Sequence, residues 1–428
     1  MNIYNKILVL VGLLCGSFSW AQQTPASVQK EAIVIEGATA HLGNGKIIEN
    51  SLIMFEGGVL TFVGDAKVKI ARKGKKIDGT GKHVYPGFIA PAKALGLTEI
   101  NAVRASKDED EIGEFIPHVR SLIAYNAESK VVESMRPNGV LLAQITPQGG
   151  EISGTSSIVQ LDAWNWEDAA VKVDDGIHLH WPNSFRYNRS ASAFKPNDNY
   201  QEEIAKIKSF IQNSKAYGEA VSKEEHAPFK AMQGLFKGSQ NLYVYANGEK
   251  EIIDAITLAK HENIKNIVLV GGYEAYKVTD FLKQNEIPVL VQATHSRPQF
   301  EDEDYDLPYK LPKLLSDAGL LVGLQNSDLE NFQTRNLPFY AGQVAGQGLD
   351  KEIALSLITG NNAQILGIAD TYGTLETGKS ATLFISEGDA LDMRTNTLTK
   401  AFIDGRDISL ESHQTELWKR YMGKYESE

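Results

Sequence analysis

The sequence predicts a (β/α)8 barrel of the TIM type with a small β-sandwich domain assembled from both ends of the chain. Three observations lead there. Strand-like and helix-like segments alternate through the middle of the chain, as parallel strands with helical crossovers require. Both ends are rich in short β-branched runs broken by Gly and Asp turns. The chain also has 428 residues, room for a barrel plus an accessory domain.

The alternation is clearest from Asn241 onward. "NLYVYANG" reads as a strand, and "EKEIIDAITLAKHENI" places Ile252, Ile253, Ile256 and Ala259 at helical spacing. "IKNIVLVGG" is the next strand, "YEAYKVTDFLKQNEI" a helix with Val278, Phe281 and Leu282 on one face, and "IPVLVQAT" a strand. "YKLPKLLSDAG" and "LLVGLQNS" complete the series. Earlier strands are "HVYPGFIAP", "NGVLLAQITP" and "GIHLHWP"; the stretch 183–240 is more polar, with "QEEIAKIKSFIQNSKAYGEAV" as a surface helix. The boundaries follow: β-domain from 31–85 plus 372–412, barrel 86–371, and a tail 413–428.

The first residues resemble a secretory signal. Lys6 precedes the apolar run "ILVLVGLLCGSFSW", too short for a good membrane span, and "SWA" offers cleavage after Ala21. Leu14 before Cys15 disfavours a lipid anchor there. The expected location is the periplasm or the cell exterior, with no membrane insertion after cleavage. Cys15 is the sole cysteine, so the mature chain has no disulfide, thiolate metal site or cysteine nucleophile. A net charge of -11 without a basic block argues against nucleic acid as a partner.

The stretch "YPGFIAPAKALG" is similar to the Pro-Gly-hydrophobic-Ile-Asp-x-His-x-His-x-Gly signature of the amidohydrolase superfamily, in the style of imidazolonepropionase-like proteins. "GATAHLGNGK" and "MFEGGVLTFVGD" before it, and "ITGNNAQILGIADTYGTLETGKSATLFISEGDAL" and "AFIDGRDI" after it, resemble the family's other landmarks in the same order. The resemblance implies hydrolysis of C–N bonds in small linear or cyclic amides. One or two divalent metals at the C-terminal mouth of the barrel would activate water.

Carried over position by position, the ligands are missing. The His-x-His of strand one falls on Ala92 and Ala94, and the aspartate before it on Ala90. The histidines of strands five and six fall on Tyr245 and Gly271, and the aspartate of strand eight on Ser327, next to Asp328. None of the alanines or Gly271 has a lone pair to give a metal. Strand alternation puts Lys93 on the opposite face from Ala92 and Ala94, and all three alanines on the inward face. The resemblance therefore implies the fold while its chemistry is absent: a metal-less protein, no cofactor expected, with a binding or partner role. That role would be toward a small molecule, a second copy, or a catalytically intact relative.

The competing reading is an active hydrolase with a relocated zinc site on His178, His180 and His295, the first two sharing one strand face. A serine hydrolase has less to stand on, since Ser296 and Ser327 lack a nucleophile elbow. The remaining ligand-like stretch is "TPQGGEISGTSS", after strand two. Gln148, Gly149, Gly150, Thr155 and Ser156, with Trp164 nearby, form either a polar pocket wall or a long turn bonded to itself. Trp166 joins Trp164 as an aromatic ligand wall or as packing. "EDEDYD" at 301–306 is a cation loop or, as charge runs usually are, a solvated one.

Overall fold

The computed structural model describes residues 24–190, 192–220, 224–292, 294–326 and 331–426. The signal-like leader, Cys15, Ser327 and Asp328 lie outside them. Among the described residues no helix is long and apolar enough to cross a membrane.

Two sheets organise the chain. The barrel sheet has eight strands. In chain order these are strand one Phe88–Lys93, two Val140–Ile145, three Ile152–Gln160, four Ala170–His180, five Asn241–Ala246, six Ile267–Gly271, seven Val289–Val291 and eight Val322–Leu324. Neighbours in sequence are neighbours in space throughout. Strands four to eight run parallel, joined by the expected crossovers. Helix Glu249–His261 turns Ile252, Ile256 and Ala259 into the core beneath it. The helix expected before strand seven is interrupted at Val278, leaving a 3-10 turn Ala275–Lys277 and a short helix Thr279–Gln284.

Strand three departs from the simple pattern: it is antiparallel to both neighbours. Every one of its residues is buried, including Ser153, Thr155, Ser156 and Ser157. "ISGTSSIVQ" is thus a barrel strand, where the sequence offered a pocket wall or a turn. A serine-rich run reads as a turn because hydroxyls normally seek backbone partners locally. Here they find them at long range: Ser157 Oγ accepts from the Asp174 amide at 2.9 Å, and Thr155 Oγ1 donates to the Pro117 carbonyl at 2.7 Å.

The stretch expected as a single strand serves both sheets. Gly87 divides "HVYPGFIAP" into His83–Pro86, which joins the β-domain sheet, and Phe88–Lys93. That second sheet also has eight strands, drawn from Ile33–Asp78, His83–Pro86 and Leu383–Ile408. It wraps around Ile35, Ile53, Phe55, Leu60, Leu383 and Phe402, and a bridge between Val59 and Ser380 ties its edge strand Val59–Asp65 to the residues just before Leu383–Ser386. The tail forms the helix His413–Glu426.

Strands one and eight are joined by a side chain. Fully buried Asn362, on helix Gly360–Leu366, donates both amide hydrogens: to the Ile89 carbonyl at 2.9 Å and to the Leu324 carbonyl at 3.0 Å. Asn362→Ala leaves two buried carbonyls without donors. It is expected to lower unfolding free energy by about 2–4 kcal/mol, read by urea denaturation. A loss under about 0.5 kcal/mol would show that the seam closes without this residue.

Candidate functional site at the barrel mouth

In a barrel of this kind, side chains at the C-terminal strand ends face the site. On strand one, Ala92 and Ala94 are there, both buried. Ala92 is left-handed, with φ 53°, and the register against strand two slips between Ala90 and Lys93. Strict alternation, and the facings inferred from it, therefore do not hold across this stretch. Ala90 packs with Phe88 and Ala143 in the core cluster under the helices, whereas Ile89 joins the barrel-interior cluster of Leu142, Val270 and Leu290. Lys93 is buried, and its ammonium reaches the Asn326 carbonyl at 3.3 Å, just beyond strand eight.

Tyr245 occupies the end of strand five, stacked on His180 with centroids 4.3 Å apart. At the end of strand six, Gly271 has φ 92°, and a Cβ placed on it would lie 2.6 Å from Asn247 Oδ1. The space a histidine would need there is held by Asn247, with Gln292 beyond it. Two methyl groups, a phenol and a glycine do not fit a divalent metal.

His178 and His180 do share a strand face. Burial pushes both imidazoles down, His178 well below its ordinary value and His180 to about 4. His178 is committed to a network. Asp175 accepts from Ser156 Oγ at 2.8 Å, from Tyr243 Oη at 2.8 Å and from Gln144 Nε2 at 2.9 Å. Since Ser156 spends its hydrogen on Asp175, it accepts from His178 Nε2 at 2.8 Å. His178 Nδ1 then accepts from Tyr245 Oη at 3.1 Å. Gln144 Oε1 takes the Ala92 amide at 2.9 Å, tying strand one in. Desolvation raises Asp175 from its ordinary value, while its donors pull the other way.

This resembles a Ser/His/Asp set in composition but not in order. The serine stands between the carboxylate and the imidazole, so its hydrogen points at Asp175 and the histidine is placed to donate, not to take a proton from it. His295 is exposed and packs edge-on to Tyr309 and Tyr340, away from these bonds. Among the described residues, no three His, Cys, Asp or Glu side chains gather as a metal site. The relocated trio is therefore not assembled.

The glycine-rich stretch packs against its own chain. Gly150 has φ 66°, and a Cβ there would meet the Gly113 carbonyl at 2.7 Å; at Gly154 it would meet the Val119 carbonyl at 2.5 Å. Gly149 likewise lies against Asp110. Gln148 is held by its amide to the Glu109 carbonyl at 2.6 Å. The close backbone approach serves residues 108–120, which cover strand three. Trp164 is 62% exposed, and Trp166 starts a short helix packed on the core. Residues 301–306 form a mostly exposed loop leading into helix Leu307–Asp317.

What the sequence did not reveal is a set of buried polar atoms above the network. His180 Nε2 at the end of strand four and Thr146 Oγ1 after strand two have no hydrogen-bond partner among the described residues. The same holds for Thr294 Oγ1 after strand seven and for both amide atoms of Gln325 after strand eight. Buried groups in folded proteins rarely stay unbonded, so polar atoms at four strand ends fit water or a polar ligand. No motif encodes this, because each residue comes from a different strand end.

The neutral imidazoles set a pH dependence. Each has a folded value depressed below 6.5, so its contribution to stability is full above pH 6.5 and is lost as pH falls toward the folded value. The slope is about 1.4 kcal/mol per pH unit for each imidazole. Asp175 and Glu151, both raised by burial, act in the opposite sense. His180→Gln is therefore expected to flatten the fall in stability between pH 6.5 and 4 by about one proton's slope. An unchanged slope in urea titrations at stepped pH would count against a neutral His180.

No protein-family model matches the chain, and no curated protein matches it. Solved structures do. An amidohydrolase from Thermotoga maritima superposes with a TM-score of 0.75 at 22% identity, covering 88% of this chain and 99% of that one. A prolidase complexed with N-methylphosphonate-L-proline gives 0.55 at 13% identity, with 88% and 99% covered. Molinate hydrolase gives 0.55 at 13% identity, with 90% and 96% covered.

Proposed function

We propose that this chain, which has the amidohydrolase-superfamily fold, binds a small polar molecule at the barrel mouth and does not perform metal-dependent hydrolysis. One observation carries the reading. The ligand positions on strands one, five and six hold Ala92, Ala94, Tyr245 and Gly271, and the two histidines nearby are occupied by stacking and by the network to Asp175. The partnerless atoms of His180, Thr294 and Gln325 supply donors and acceptors for an uncharged, hydrogen-bonding ligand. Its role is then recognition, in the periplasm or outside the cell, alone or beside a catalytically intact relative.

Elemental analysis of mature protein expressed with added zinc tests the central point. Metal far below stoichiometric is expected, because no ligand set with about three donors gathers among the described residues. Zinc near one per chain, retained through dialysis, would overturn the reading and return the fold to its usual chemistry.

A further inference from the structure

Beyond Asn247, on the outer side of the mouth, the structure holds a cavity of about 930 Å³. That is the size of a small-molecule site. It opens between the hairpin formed by Phe185–Asn188 and Ala193–Pro196, the start of helix Glu249–His261, and the loop carrying Phe300.

Its two sides differ in chemistry. One side is aromatic. Phe185, Tyr187, Phe194 and Phe300 all line it and are 45–61% exposed. Tyr187 meets Phe194 edge-on at 5.4 Å, and Phe194 meets Phe300 at 6.5 Å. Aromatic side chains left open together beside a cavity mark a binding face more often than chance exposure.

The other side is acidic, and its cations are already engaged. Lys250 pairs with Asp254 at 2.6 Å, Arg186 with Glu203 at 2.7 Å, and Lys277 with Glu274 at 2.6 Å. Glu249 and Glu251 form no ion pair among the described residues. Glu251 is held by the Ser184 amide, whereas Glu249 stands exposed at the cavity wall. The helix N-terminus offers nothing to an anion. The Glu249 amide donates to Glu274 Oε2 at 2.7 Å, and the Glu251 carboxylate folds over Gly248.

We propose that this cavity binds a small organic cation with an aromatic body, its charge toward Glu249 and its ring against Phe194 and Tyr187. The carboxylate then pairs with the charge while Phe194 and Tyr187 pack against the ligand's ring. His180, Thr294 and Gln325, which carry the strand-end proposal, do not line this cavity, so the two are tested independently.

Benzamidine, with benzamide as its neutral isostere and benzoate as its anionic one, tests the assignment by calorimetry on the mature chain. Benzamidine is expected to bind roughly tenfold or more tighter than benzamide, with benzoate undetected. Glu249→Gln and Phe194→Ala, both at exposed positions, should each weaken benzamidine by about fivefold. Glu416→Gln, on the C-terminal helix, should leave it unchanged. The proposal is overturned if benzamidine fails to bind at millimolar concentration, if benzamide matches it, or if either cavity substitution has no effect.

Discussion

Asp162→Ala is expected to lower the unfolding free energy by about 3–5 kcal/mol, the range for removing one partner of a buried ion pair. Asp162 follows strand three and is almost fully buried. Its Oδ1 accepts from Arg136 Nη1 at 2.8 Å. Its Oδ2 accepts from Arg406 Nη1 and from the Ala26 amide, both at 2.9 Å. Three parts of the chain meet on this carboxylate: the lead before the β-domain, the barrel, and the strand Arg406–Ile408. Burial already pulls the Arg136 guanidinium below its usual value, and Asp162 opposes that. Without the carboxylate, the Arg136 and Arg406 guanidinium groups lose their shared partner in a largely buried seam. Asp162→Asn keeps the shape and loses the charge, so it should recover less than half of the loss. Full recovery in urea denaturation would mean that hydrogen-bond geometry, not charge, holds the seam.

Gly271→His, which places a histidine where the resemblance to the amidohydrolase pattern expects one, is expected to destabilise by about 2–4 kcal/mol and to bind no metal. The cost lies in the backbone and the first carbon. A φ of 92° is unfavourable for any L side chain, and Asn247 Oδ1 stands 2.6 Å from where Cβ must go. Gly271→Ala should therefore carry most of the penalty although it adds only a methyl group. If alanine were tolerated within about 0.5 kcal/mol, the glycine would not be required by the local fold. The glycine at the end of strand six is thus set by the backbone conformation and by Asn247.

The frame of the barrel was legible because it rests on periodicity and punctuation. Helix Glu249–His261 buries the face its spacing announced, and "YPGFIAPAKALG" marks strand one. Strand three was hidden because its serines and glycines are satisfied by partners that lie far away in sequence. The facings on strand one were hidden for a related reason. A left-handed Ala92 breaks alternation, and nothing in the residue type signals that. The pairing of His178 with Ser156 and Tyr245 depends on three strands arriving in register, which spacing along one strand does not encode.

The reversed strand three has a kinetic consequence. Strands two, three and four form a continuous antiparallel meander, closed by the loop 146–151 and by residues 161–169, which end in the short helix Trp166–Ala169. Parallel neighbours wait for a crossover to be made, whereas a meander closes over short separations and pays little loop entropy. Strands two to four can therefore form early in folding, as a nucleus against which the remaining strands dock. Amide hydrogens of Val140–His180 should be the first to gain protection in pulse-labelled refolding.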